Sequence, residues 1–215
     1  MKRKRRLTRR ESQEATRARL IEAAERAFIR DGFDGSSVEQ ITEAAGFSRG
    51  AFYSNFTDKN ELFLAVLDKR RLELATALDE IIRRTPDAAR RLEAVRDWFV
   101  NQWWRQKDWI ALRIEFSRRA MRNRAVRDRL AKLRRHELET YAELVAEYFS
   151  AAGVEPVLER PETVALALLA VWQGLGSMAM AEAGRDLERD YTEAAGLVFD
   201  RLALPYGASC GGRRA

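Results

Sequence analysis

With 215 residues, of which 46% are hydrophobic, the chain is long enough for one large packed domain and a small one. Its lone cysteine, Cys210, cannot close an intramolecular disulfide. That fits a reducing cytosol, and with nothing basic or aromatic fixed near it the thiol reads as a bystander rather than a redox switch. The net charge of +6 hides an uneven distribution, and no segment reaches an uninterrupted transmembrane length.

Residues 1–10, MKRKRRLTRR, hold seven Lys or Arg and no acid. No apolar run follows, so this is not a signal peptide. Such a run reads as a disordered, polyanion-seeking arm. Beside the motif described next, an arm that tracks phosphates or the minor groove, Arg9 and Arg10 included, is preferred over a solvated tail or a membrane-surface anchor. A first helix is expected from about Gln13 to Asp31, with Leu20, Ala23, Ala24, Ala27 and Phe28 on its apolar face and Gly32 as its stop.

From Ser36 to Phe63 the chain reads SSVEQITEAAGFSRGAFYSNFTDKNELF. Ser36 and Glu39 fit a capping box, and Val38, Ile41 and Ala45 follow at helical spacing. Gly46 suits the left-handed residue that ends a helix. Phe47 is expected to plug the small core, and Ser48 to cap a second helix running from Arg49 to about Asn55. Phe52 and Phe56, four apart, share the buried face and leave Arg49, Gly50, Tyr53 and Ser54 pointing away from it. Asp58 and Glu61 form another capping box, with Lys59 in the first turn of a third helix. Two short helices around a glycine turn, the second presenting Arg and Tyr, are the grammar of a helix-turn-helix that sets one helix in the major groove of DNA. Arg reads guanine edges or phosphate, and a Tyr hydroxyl donates to phosphate. The competing account is a helical hairpin with a solvated face.

The stretch resembles the DNA-binding domain of the TetR family of bacterial transcriptional regulators. The residues that carry the likeness run from Leu20–Ala24 through Phe28, Gly32-Phe33, Ser37-Val38, Ile41, Ala44–Gly46, Ser48, Gly50–Tyr53, Asn55-Phe56, Lys59 and Glu61–Phe63, roughly the first third of the chain. The resemblance implies Arg49 and Gly50 as base readers, Tyr53 and Lys59 as phosphate contacts, and Ser37 as a backbone contact. Ser48 and Ser54 flank them. Asn55 departs from the family's commoner histidine.

Further along, a long helix is expected from about Lys59 to Arg84, marked by Leu62, Val66, Lys69, Leu72 and Leu78. Others follow over about Pro86–Gln106, Asp108–Arg122 and Asn123–Ala152. A linker over Gly153–Arg160 leads to a helix from Pro161 to Ala183 and a last one from about Asp190 to Leu204. The fold class is therefore all-α, with no internal repeat. The expected domains are the arm (1–10), the helix-turn-helix (11–58), a larger helical bundle (59–205) and a Gly-rich tail (206–215). The last two helices are apolar on more than one face, and Gly174, Gly176 and Ser177 permit close approach. They read as half of a four-helix homodimer interface over about 161–204, against ordinary core packing.

The middle helices are rich in aromatics. Trp98, Phe99, Trp103, Phe116, Tyr141 and Trp172, with Gln102, Arg113 and Glu137 as polar groups, could line an apolar pocket. Arg113 and Glu137 equally suit a simple ion pair, and the rings equally suit core filling. The resemblance implies a small-molecule effector there, of unknown identity, whose binding weakens the hold on DNA. His136, the only histidine, lies in the run KLRRH and reads as solvated. No nucleophile–base pair, metal-ligand cluster or phosphate loop appears, so no enzyme, cofactor or metal is expected. The overall expectation is a cytoplasmic, dimeric, ligand-released repressor of a double-stranded operator. The alternatives are a sequence-tolerant nucleic-acid-coating protein and an enzyme with a DNA-binding head.

Overall fold

The computed structural model describes residues 8–105, 107–151 and 160–181, with 189, 193, 194, 196 and 197. Eight helices run through these residues: α1 (Arg9–Gly35), α2 (Val38–Ala45), α3 (Arg49–Tyr53), α4 (Lys59–Arg84), α5 (Ala88–Arg105), α6 (Lys107–Arg122), α7 (Arg124–Ala151) and α8 (Pro161–Ala181). Residues 1–7 of the expected arm, 153–159 of the expected linker, most of the last expected helix and the tail lie outside the described residues.

The chain divides into two compact units, and the division falls inside helices. One unit comprises residues up to Arg70 together with Glu115–Leu130; the other comprises Arg71–Ile114 and the chain from Ala131 onward. The N-terminal unit therefore extends well past residue 58, where the helix-turn-helix was expected to end. It also takes in the end of α6 and the start of α7. The reason is aromatic packing. Phe63 and Phe116 stack at 4.1 Å between ring centroids, and Phe33 meets both edge-on at 5.3 and 5.2 Å. Phe28 completes the cluster, 5.2 Å from Phe63, and all four rings are buried. Phe116 thus belongs to this core and not to a pocket among the middle helices.

Local chemistry sets the helix ends of the unit. Thr8 caps α1 with Glu11 as its box partner, so Arg9 and Arg10 are helical rather than part of a disordered arm. Gly32 breaks α1 with φ +75°, a conformation that costs a residue with a Cβ. The second cap is Ser37 with Gln40, one residue on from the expected Ser36 with Glu39. Ser36 instead turns its hydroxyl back to the Gly32 carbonyl at 2.7 Å. Gly46 ends α2 in the left-handed conformation, φ +73°. Ser48 caps α3, and Phe52 and Phe56 are buried beneath it, while Phe47 is only half-buried. Asp58 accepts the Glu61 N–H at 2.7 Å, but Glu61 answers to Thr57, whose N–H and hydroxyl donate to it at 2.7 and 2.6 Å.

In the second unit, Ile82 of α4 and Val164 of α8 pack with Val95 of α5, Leu144 and Val145 of α7, and Leu168 of α8. Leu72, expected on the apolar face of α4, is exposed, and Arg71 is buried in its place, donating to the Thr140 hydroxyl at 2.7 Å. Gly176 lies so close to Ile110 that a Cβ there would overlap its side chain, so this glycine serves packing within the unit. Gly174 has open space where a Cβ would stand.

Candidate functional site

The residues that the sequence reading assigned to DNA gather on the surface of α3 and its flanks. Arg49, Tyr53 and Ser54 are exposed, and Gly50 shows no steric need for glycine within the protein, since a Cβ there would meet only the Ser48 hydroxyl, at 3.6 Å. Helical periodicity does the sorting: burying Phe52 and Phe56 turns positions 49, 50 and 53 outward. Arg49 donates to Glu39 of α2 at 3.0 Å and lies 6.0 Å from the Tyr53 ring. The Tyr53 hydroxyl first, and Glu39 next, raise the guanidinium's pKa and hold the charge on it. Ser54 returns its hydroxyl to the Gly50 carbonyl at 2.9 Å.

Four assigned residues are more committed inside the protein than expected. Asn55, half-buried, donates its amide to the Ala51 carbonyl at 2.8 Å. Ser37 and Ser48 spend their hydroxyls accepting the cap N–H groups of Gln40 and Ala51. Lys59 sends its ammonium to the carbonyls of Phe33 and Ser36, both at 2.7 Å, and sits 4.4 Å from the Phe33 ring. Burial pushes its pKa down, and Asp34 opposes that shift. A phosphate would find only its third N–H. Arg9 and Arg10 lie on the first turn of α1, where Arg10 pairs with Glu14 at 2.8 Å.

Sequence reading missed the support beneath α2 and α3. Arg19 of α1 donates to the Ala45 carbonyl at 2.9 Å, and Arg17 to the Asn55 carbonyl at 2.9 Å while lying 4.2 Å from the Phe56 ring. Gln13 reaches the Ser54 carbonyl at 3.4 Å. One helix thus places cations at the carbonyl ends of both short helices, where charge and orphan acceptors favour them. Arg17 and Arg19 give no local signal of this, because the carbonyls are 26 to 38 residues away in sequence.

In the second unit, Arg113 and Glu137 form a bidentate pair at 2.8 and 3.0 Å, their side chains 11% and 9% exposed. Trp172 is buried with its ring 6.0 Å from the Arg113 guanidinium. The Tyr141 hydroxyl is pushed well up from its ordinary pKa by burial, with Glu137 adding to the shift. Trp98 is half-buried, and the side chains of Phe99, Gln102 and Trp103 lie outside the described residues. His136 is exposed, 3.5 Å from Glu139. Among the described residues, no group of His, Cys, Asp or Glu is placed to hold a metal ion, and no helix is long and apolar enough to cross a membrane.

Residues 20–66 match the family of bacterial regulatory proteins, tetR family. The chain is 51% identical over 63 residues to the HTH-type transcriptional regulator TtgR of Pseudomonas putida, 29% of this chain and 30% of that protein. It is 30% identical over 115 residues to the HTH-type transcriptional repressor AcnR of Corynebacterium diphtheriae, 53% of this chain and 54% of that one. The likeness therefore spans about half the length of the curated relatives, or less. A solved transcriptional regulator from Rhodococcus matches with a TM-score of 0.66 and 25% identity, over 86% of this chain and 95% of that one.

Proposed function

We propose that this chain, whose residues 20–66 match the tetR family of bacterial regulatory proteins, is a DNA-binding transcriptional repressor of that family, released from its operator by a small hydrophobic or aromatic molecule. The observation that carries this reading is the face of α3. Arg49, Gly50 and Tyr53 stand outward together on a helix anchored in the core by Phe52 and, just past its end, Phe56. Arg49 would read a guanine edge, Tyr53 would donate to phosphate, and Gly50 would let the backbone close on the groove wall. The contacts from Gln13 and Arg17 to the carbonyls at its end hold that helix at a fixed attitude on the domain, as Arg19 does for α2, which is what base reading requires.

The repressor acts as a homodimer in the cytoplasm, so that two heads read a near-palindromic site. Support comes from α8, where Leu166 and Met178 are both 56% exposed, with Ala170, Gly174 and Ser177 exposed on the same helix. An apolar helix with such a face is suited to a second copy of itself. The effector reading rests on the second unit, where Arg113, Glu137, Tyr141 and Trp172 supply a buried polar centre among apolar side chains. A ligand there shifts the DNA-bound population only by as much as it prefers the released conformer.

The test is fluorescence anisotropy with the protein's own upstream DNA against a scrambled duplex of equal length, at two salt concentrations. Preference for the native DNA that survives higher salt, and is lost in Arg49→Ala and Tyr53→Ala variants that still fold, is the expected result. Equal binding to both duplexes that collapses with salt would instead favour a sequence-tolerant coating protein.

A further inference from the structure

Charge on this protein is mostly balanced along its helices. Arg10 pairs with Glu14, Arg83 with Asp79, and Arg84 with Glu80, each four residues apart. The corner between α6 and α7 breaks that habit. Residues 118–129 carry Arg118, Arg119, Arg122, Arg124, Arg127 and Arg129 against one acid, Asp128. All six arginines are exposed. Arg119 reaches Asp34 at 3.1 Å, and Arg124 stands at the limit of pairing with Asp128, at 3.9 Å. Among the described residues, Arg118, Arg122 and Arg127 have no carboxylate within ion-pair reach. No packing demand explains them, since exposed guanidiniums held together only repel one another.

This corner belongs to the same compact unit as the reading helix and is fastened to it. Glu115 accepts the N–H groups of Phe33 and Asp34 at 3.2 and 3.1 Å, Phe116 stacks on Phe63, and Arg119 donates to Asn60 at 3.1 Å. Contacts lead from the groove-reading residues to it. Arg49 is tied to Glu39 near the start of α2, the Ser36 carbonyl just before α2 takes the ammonium of Lys59, and the next residue, Asn60, takes Arg119. Glu61, one residue on, feels the charge of Arg129. The arginine corner therefore continues the edge formed by the starts of α2 and α4. A duplex seated on α3 carries its flanking sugar-phosphate strand past the helix starts beside the reading helix.

We propose that Arg118, Arg122 and Arg127 form a second DNA-binding surface, which engages phosphates outside the base pairs read by α3. The proposal rests on the operator-binding reading above for its partner. Guanidinium forks suit phosphate oxygens and ask nothing of the base sequence, so this surface adds affinity and footprint rather than discrimination.

The experiment measures anisotropy against salt for the full chain and for R118Q/R122Q/R127Q. Two native duplexes are used, one limited to the operator core and one extended by about one helical turn at each end. The unsubstituted protein should show the steeper salt slope on the longer duplex. The triple variant should lose about 0.9 of slope on that duplex for each arginine engaged, and bind the core duplex as before. R118K/R122K/R127K, which keeps the charge, should restore most of the slope. Equal slopes for the Gln variant and the unsubstituted protein, with matching helical circular dichroism, would overturn the proposal and leave the corner to an acidic protein. An equal loss on both duplexes would overturn the claim that the contacts lie outside the core. Failure of the regulator reading is separately visible as equal affinity for native and scrambled DNA. The slopes on a long scrambled duplex would still decide the fate of this surface.

Discussion

Replacing Glu137 with Leu should strip Arg113 of its bidentate carboxylate partner and leave a guanidinium in a site where its side chain is just 11% exposed. Two hydrogen bonds, at 2.8 and 3.0 Å, disappear at once. A pair this buried lies in the regime where removing one partner costs about 3–5 kcal/mol, because the survivor's desolvation is no longer offset. A surface pair would cost at most about 1 kcal/mol. Coulomb attraction at an effective dielectric near 20 gives about 4 kcal/mol at 4 Å, in the same range. For a chain of this size that means a midpoint lower by about 6–20 °C. R113M/E137L, which removes both charges, should recover most of the loss. Tryptophan fluorescence is the right assay, since all five tryptophans, Trp98, Trp103, Trp104, Trp109 and Trp172, fall within the second unit. A double variant as unstable as the sum of the two singles would refute the reasoning, as would a single loss below about 1 kcal/mol.

Gly46→Ala should destabilise the N-terminal unit by about 1–2 kcal/mol through its left-handed backbone alone, because the nearest atom to an added Cβ is Arg19 Nη2 at an ordinary 3.5 Å; denaturant melts of the two proteins measure it. The Glu61 carboxyl is held below its usual range, chiefly by the Thr57 hydroxyl. Its stabilisation is therefore complete above the ordinary carboxylate pKa and is lost as pH falls through the lower folded value. Thr57→Ala should make stability less dependent on pH in that acid window, and a variant with an unaltered acid limb would count against the bond's importance. Glu39→Gln should raise affinity for any duplex by removing a negative charge beside Arg49, while narrowing the gap between native and scrambled DNA. An unchanged ratio in paired anisotropy titrations would show that the Glu39 tether does not guide Arg49.

The chain's helices were largely legible because their ends are written in local chemistry. Lys59 and Arg84 bound α4 as the spacing predicts, and Pro161 opens α8. The Phe52 and Phe56 pair likewise told which face of α3 is buried. Local rules could not choose between Ser36–Glu39 and Ser37–Gln40, since both fit a capping box and only the break at Gly32 decides. Phe116 looked like a pocket aromatic because sequence shows its type and not its partner, Phe63, which lies 53 residues earlier. Lys59 looked free for the same reason, as its two acceptor carbonyls are 26 and 23 residues away. Leu72 is exposed and its neighbour Arg71 buried, where Thr140, far along the chain, offers the guanidinium a hydroxyl that local spacing could not show.

The N-terminal unit is assembled from two separate stretches, residues up to Arg70 and Glu115–Leu130. Heredity is constrained by that arrangement. A recombination event near residue 58 or 70 would carry the reading helix away without Glu115, Phe116 and Arg119. The incoming partner would then have to supply its own acid for the N–H groups of Phe33 and Asp34 and its own ring for Phe63. New heads and new bodies therefore cannot be freely shuffled as beads on a string. An engineer grafting this head elsewhere must transplant the α6–α7 corner with it.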